Sequence, residues 1–297
     1  MEIRVLRYFL MTAREQNITR AAELLHITQP TLSRQLSALE DELGVVLFTR
    51  GNKKITLTEE GILLKRRAME ILDLEEKTIE ELQAKDPLVE GSVTIGCGEY
   101  GAVRTLARIC STYRSRYPKV QIRLHTATAD VIYDMMKQGL VDIGLFMEPI
   151  NTDELEYIRF PDKEPWVISM RPDDPLASKD WISKEDILDL PLILPERLSV
   201  QSELANWFGK DYDRLNVAFT GNLATNSAIM AQHGLAYPIT IEGTMQFWNK
   251  DTLVYRKLYP EMTSQTIIAW RRNIPYSSAA LKFIDEINAF QALQAST

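Results

Sequence analysis

A chain of 297 residues, 45% hydrophobic and 25% charged, has the make-up of a globular protein and the length for two or three domains. Its wholly apolar runs are only a few residues long, so no segment is expected to span a membrane. The arginines scattered through MEIRVLRYFLMTAREQ argue against a secretory signal. The net charge of −7 is uneven: residues 1–67 hold 11 Lys/Arg against 8 Asp/Glu, while the remainder holds 23 against 33. A local basic part on an acidic body is what a nucleic-acid footprint requires. Two cysteines, Cys97 and Cys110, fit a reducing cytoplasm and provide no disulfide framework.

Ile3 to about Glu15 is predicted helical, with Leu6, Phe9, Leu10 and Ala13 on one face, and Thr19–Leu25 forms a second helix. The third, Gln29–Leu43, has Thr28 as N-cap and Pro30 in its first turn. At 100° per residue Leu32, Leu36, Leu39 and Leu43 span an arc of about 60°. The opposite side carries Pro30, Ser33, Arg34, Ser37 and Ala38, where nothing but one arginine is large. Small residues let a backbone approach a groove, and an arginine bonds two acceptors on a guanine edge. That is the layout of a recognition helix, although a buried helix pair that only makes core has the same periodicity.

Val46–Leu57 reads as a two-stranded wing whose turn, Arg50-Gly51-Asn52-Lys53-Lys54, is basic. A helix of about 28 residues is expected next, running to Lys85, capped by Thr58 with Glu59 and Glu60 in its first turn. Its stripe of Leu64, Ala68, Ile71, Glu75, Thr78 and Leu82 needs a partner, most simply the same helix of a second copy.

From Gly91 the pattern changes to strand 92–95, helix 102–117, strand 120–125, helix 130–139 and strand 141–146, a βαβαβ alternation that predicts a parallel sheet. A second cycle has strands near 165–170, 191–194, 215–220 and 234–237, with helices near 199–209 and 225–232. Strands at 252–258 and 264–271 lead into a closing helix, 276–294.

Residues Ala21-Ala22, Leu24-Leu25, Thr28-Gln29-Pro30-Thr31-Leu32-Ser33, Leu36-x-x-Leu39-Glu40, Leu43-Gly44-x-x-Leu47-Phe48-x-Arg50 and Leu57-Thr58-x-x-Gly61 together resemble the winged helix-turn-helix of LysR-type transcriptional regulators. Gly91-x-x-x-Ile95-Gly96, Tyr117-Pro118 and Gly139-x-x-Asp142-x-Gly144 are similar to the effector domain of the same family. The resemblance implies an α/β protein with a winged helix-turn-helix at 1–58, a linker and dimerisation helix at 59–87, and a two-lobed periplasmic-binding-protein-like (type 2) effector domain at 88–297. Lobe I is expected at about 91–160 and 267–294, lobe II at about 161–266. The implied partners are promoter DNA with an interrupted inverted repeat, a second copy (and a dimer of dimers), a small-molecule effector and RNA polymerase.

DNA contact is assigned to Thr28, Gln29, Pro30, Thr31, Ser33, Arg34, Arg50, Lys53 and Lys54, with Gln29 and Arg34 on base edges. Self-association is assigned to Leu64, Ala68, Ile71, Thr78 and Leu82. Open α/β sheets bind ligands beyond the carboxyl ends of their strands. Effector contact is therefore expected from Gly98, Glu99, Tyr100, Thr126, Thr128, Phe146, Met147, Ser199 and Val200. The family often has Ser or Thr in the first loop and at the position of Ala129. Here Gly98, Glu99, Tyr100 and Ala129 stand there instead, and a fixed Glu99 carboxylate favours a neutral or cationic effector unless it points to solvent.

No metal or cofactor is expected, because His26, His125 and His233 are far apart in sequence and no ligand spacing surrounds them. Cys97-Gly98-Glu99-Tyr100-Gly101 lacks the third glycine of a dinucleotide loop, and no Gly-x-Ser-x-Gly or Cys–His arrangement points to an enzyme. A peroxide-sensing pair of Cys97 and Cys110 would resemble one branch of the family, but no basic residue adjoins Cys97. A solute-binding protein of the same two-lobed fold would need an export signal and no DNA-binding head.

Overall fold

The computed structural model describes residues 1–50, 55–83 and 89–294. It divides into two compact units, Met1–Lys85 and Asp86–Thr297.

The first unit runs α1 (Ile3–Glu15), α2 (Ile18–Leu24), α3 (Gln29–Leu43), β1 (Phe48–Arg50), β2 (Ile55–Leu57) and α4 (Glu59–Gln83). Each turn of the helical trio has a local cause. Asn17 caps α2 by accepting from the Arg20 N–H, and Thr28 caps α3 by accepting from the Thr31 N–H. Gly44 ends α3 at φ 69°, the left-handed conformation that glycine adopts without penalty. Val5, Leu6, Phe9, Ala21, Ala22, Leu32, Leu36, Leu39 and Leu47 make the core. The small Ala21-Ala22 pair is fully packed inside it.

The β1–β2 wing is antiparallel, pairing Phe48 with Leu57 and Arg50 with Ile55. Glu40 fixes its start by accepting from the Leu47 N–H at 2.7 Å and the Phe48 N–H at 3.2 Å. Thr58 caps α4 by accepting from the Gly61 N–H at 3.0 Å. A side chain at Gly61 would place its Cβ 2.2 Å from the Leu47 carbonyl oxygen, so only glycine fits.

Part of the expected dimer stripe on α4 is used within its own unit. Ala68 is 0% exposed inside the unit's own core, and Leu64 and Ile71 are half-buried against the same cluster. Arg7 of α1 pairs with Glu75 at 2.7 Å. The Thr78 hydroxyl donates to the Leu74 carbonyl of its own helix, and the Leu82 side chain lies outside the described residues. The apolar residues left facing solvent include Ile62, Met69 and Ile79, with Leu72 half-buried beside them. These four span an arc of about 100°, roughly 100° around the helix from the buried stripe.

The second unit begins with β3 (Gly91–Cys97), α5 (Val103–Arg116), β4 (Val120–Thr126), α6 (Ala129–Lys137) and β5 (Ile143–Met147). Then come β6 (Leu155–Met170), β7 (Trp181–Ser183), β8 (Leu192–Pro195), α7 (Leu198–Phe208), β9 (Val217–Gly221), α8 (Ala224–Gln232), β10 (Tyr237–Ile241), α9 (Glu242–Met245), β11 (Val254–Tyr259), β12 (Thr263–Arg271) and α10 (Ser278–Gln294).

One lobe has the parallel order β4-β3-β5, and the other the parallel order β9-β8-β10. Two long antiparallel strands, β6 and β12, run through both lobes, with a register shift between Gln265 and Ile267. The strand expected at 165–170 is thus the second half of a 16-residue strand. The strand expected at 234–237 starts at Tyr237, because Gly234 at φ 70° is spent on ending α8. Val93, Ile95, Leu106, Ile109, Tyr113 and Phe283 lead one core, and Trp166, Ile168, Leu192, Leu204 and Phe208 the other. Tyr113 donates to the Ala279 carbonyl at 2.8 Å and locks α5 to α10.

Candidate functional site

Two surfaces carry chemistry, one in each unit. On α3, Gln29, Pro30, Ser33, Arg34, Ser37, Ala38 and Asp41 share one open concave face. Thr28, Gln29, Pro30, Thr31 and Arg34 are exposed, while Ser33 is half-buried toward the wing beside Phe48 and Ile55. The Thr28 hydroxyl is committed to the helix cap and lies 2.8 Å from that of Thr31. Asp41 was not foreseen on this face. It places a carboxylate near the C-terminal end of α3, away from Gln29 and Arg34. The Arg50 side chain and residues Lys53 and Lys54 lie outside the described residues.

In the second unit a cavity of about 290 Å³ lies between the lobes. Of the residues expected there, Gly98, Glu99, Tyr100, Thr128, Met147 and Val200 line it. Phe146, Thr126 and Ser199 do not. Strand alternation turns Phe146 the other way, at 0% exposure in the cluster of Ile132 and Met136. The Thr126 side chain bonds the Cys97 thiol on the neighbouring strand. The Ser199 hydroxyl is buried without a hydrogen-bond partner.

Asp130, Trp166, Glu196, Arg197, Asn222, Ser227 and Thr240 also line the wall and were missed. The Trp166 indole N–H is already used on Ser264 at 2.8 Å, so its ring serves as apolar wall. Arg197 stands two residues before Ser199, the first residue expected from that segment. It donates to the Met147 carbonyl at 3.1 Å and the Pro149 carbonyl at 2.7 Å, and its Nε is 3.4 Å from an Asp130 oxygen. That Nε has no hydrogen-bond partner.

Glu99 does not present a free carboxylate to the cavity. It accepts from the Thr225 N–H at 3.0 Å and the Thr225 hydroxyl at 2.5 Å, both at the start of α8 in the facing lobe. Its charge is thus held at the α8 N-terminus, where it is met by hydrogen bonds, rather than standing free in the cavity.

Burial pushes the Tyr100 hydroxyl up to about 12 against the pull of Arg197, so it stays a neutral donor at ordinary pH. Its ring explains Gly98, where a Cβ would fall 2.5 Å from it. Burial also raises both thiols, Cys110 to about 11, which opposes the thiolate that redox sensing needs. Among the described residues no group of three or more His, Cys, Asp or Glu could hold a metal, and no helix is long and apolar enough to cross a membrane.

The helix-turn-helix model of the bacterial lysR regulatory family matches residues 3–62, and the LysR substrate binding domain matches residues 87–292. The chain is 35% identical over 218 residues to the HTH-type transcriptional regulator BsdA of Bacillus subtilis, covering 73% of this chain and 74% of that one. It is 30% identical over 279 residues to the Hca operon transcriptional activator HcaR of Escherichia coli, covering 92% of each. In fold it is similar to full-length CbnR in complex with its target DNA, at a TM-score of 0.76, 21% identity and coverage of 98% and 100%. Full-length BenM matches at a TM-score of 0.53 and 25% identity, covering 99% and 98%. A capped, exposed recognition helix in one unit and a ligand-sized cleft in the other thus coincide with both family matches, and the chain belongs to the LysR family of DNA-binding transcriptional regulators.

Proposed function

We propose that this regulator reads base edges with Gln29 and Arg34, contacts backbone phosphate or the minor groove with Ser33, Arg50, Lys53 and Lys54, and is switched by a small molecule in the 290 Å³ cavity. The observation that carries the DNA reading is Arg34: exposed on a rigidly capped helix, among small neighbours, with no ion pair among the described residues. The protein acts by binding rather than catalysis, in the cytoplasm, on promoter DNA and with RNA polymerase as its target.

The proposed division is a DNA-binding part to residue 58, a linker helix to 87 and an effector part beyond, with β6 and β12 as the lobe crossing. Two copies pair through the outward stripe of α4, Ile62, Met69, Leu72 and Ile79, rather than through Leu64, Ala68 and Ile71, and such dimers pair again. Paired heads read half-sites about one helical turn apart. An effector that favours one arrangement of the lobes shifts the equilibrium between DNA-bound states.

An effector with a negative group suits the Arg197 end of the cavity, where that guanidinium and uncapped helix starts stand against the lining carboxylates Asp130 and Glu196. Footprinting the full chain on the DNA flanking its own coding region tests the reading. Protection of two half-sites with dyad symmetry is expected, and protection without sequence preference would overturn it.

A further inference from the structure

Four helices begin at or beside the cavity, and none is capped by its own N-cap side chain: α5 at Ala102, α6 at Thr128, α7 at Arg197 and α8 at Leu223. In the DNA-binding unit, by contrast, Asn17 and Thr28 cap α2 and α3 themselves. Two of the four bare starts are served by carboxylates from elsewhere in the fold. Glu164 of β6 accepts from the Ala102 N–H at 2.9 Å. Glu99, in the loop after β3, crosses the cleft to Thr225 of α8. Asp130 and Glu196 also line the cavity, and Asp130 faces Arg197 of the other lobe, but Glu99 is the one that makes with a helix N–H and the adjoining hydroxyl the bonds a carboxylate ligand would make. At the α6 end, Thr128 makes no cap bond and Arg197 keeps a buried Nε without a hydrogen-bond partner. Between the two ends lie Met147, Trp166, Ile193 and Ile241.

We infer that Glu99 is a built-in ligand, filling from lobe I the anion position at α8 in lobe II, and that it reserves the cleft for effectors with one negative group on an apolar body. The single group sits at the α6 and Arg197 end. A second carboxylate reaching toward α8 meets Glu99 and is repelled. This rests on reading the cavity as the effector site and adds which charge class that site accepts. The same bond ties the lobes together near the cavity, so the chain carries its own partial substitute for a bridging ligand.

Chemical rescue tests it in the full chain. All five tryptophans belong to the second unit, so indole fluorescence follows that unit's unfolding without interference from the DNA-binding part. Glu99→Ala should lower the Tm by roughly 2–4 °C. Acetate should restore it in a saturable way, beyond any response of the wild type, while acetamide and chloride at matched ionic strength should not. Glu99→Gln keeps the space filled and should show no such rescue. Succinate should stabilise Glu99→Ala and leave the wild type unmoved. Equal acetate responses in wild type and both variants, or succinate stabilising the wild type as much as Glu99→Ala, would overturn the proposal. The titration needs no DNA, so its failure stays separate from any failure of promoter binding.

Discussion

Two nearby positions on α4 separate the possible pairing faces. Met69 is 57% exposed and belongs to the outward stripe, whereas Ile71 packs on the core formed by α1, α2 and α3. Burying a whole methionine side chain contributes about 1.5–3 kcal/mol, so covering the exposed 57% contributes about 1–1.7. Two-fold symmetry doubles this to about 2–3 kcal/mol for the pair. Met69→Asp forfeits that amount and adds a charge to desolvate, so self-association should weaken by at least roughly 30- to 150-fold. The Tm of the DNA-binding unit should hold, because Met69 contributes nothing to its core. Ile71→Asp should do the reverse first, costing that unit about 3 kcal/mol or more by placing a charge against apolar packing. Sedimentation equilibrium over a concentration series, paired with thermal unfolding by circular dichroism, reads both quantities. Unchanged association in Met69→Asp, together with a stably folded but monomeric Ile71→Asp, would refute the reasoning and restore the inner stripe as the pairing face.

Gly61→Ala should destabilise the DNA-binding unit by about 1–3 kcal/mol, because the new Cβ meets the Leu47 carbonyl at 2.2 Å; chemical denaturation would show it. Burial raises the Glu164 carboxyl above its ordinary 4.5, against the N–H groups of Ala102, Gly243 and Gly101 that favour its charge. Its contribution is therefore full below 4.5 and declines as pH rises through the higher folded value. Relative to Glu164→Gln, the wild type should lose Tm across that window, and parallel pH profiles would contradict the assignment. Cys97 and Cys110, both pushed toward the neutral thiol, should resist alkylation at neutral pH until the chain is unfolded; rapid labelling of the native protein would revive the redox reading.

What the sequence disclosed depended on how local the cause was. The recognition helix was legible because its cap, Thr28, its stop, Gly44, and its leucine stripe are all written within one segment. The parallel strands stood out as apolar runs between turns. The α4 pairing face did not, since Leu64-Ala68-Ile71 and Ile62-Met69-Ile79 both satisfy helical spacing and only the packing of α1 decides which is consumed. In β6 the pattern is interrupted by Pro161, Asp162 and Lys163, which hid its continuity through both lobes. Phe146 and Met147 are neighbours on opposite faces of β5, so a choice of strand end could not separate wall from core. Arg197 and Glu99 take their roles from partners 50 and 126 residues away, a relation that exists only in the folded effector unit.

The central claim is that α3 reads sequence through Arg34. Its most direct test is the affinity of Arg34→Ala and wild type for the footprinted promoter and for random DNA of equal length, at one fixed salt concentration. A loss of about 1–3 kcal/mol on the promoter, with random-DNA affinity nearly unchanged, is the predicted result. Equal losses on both DNAs would reduce Arg34 to a phosphate contact and contradict the account.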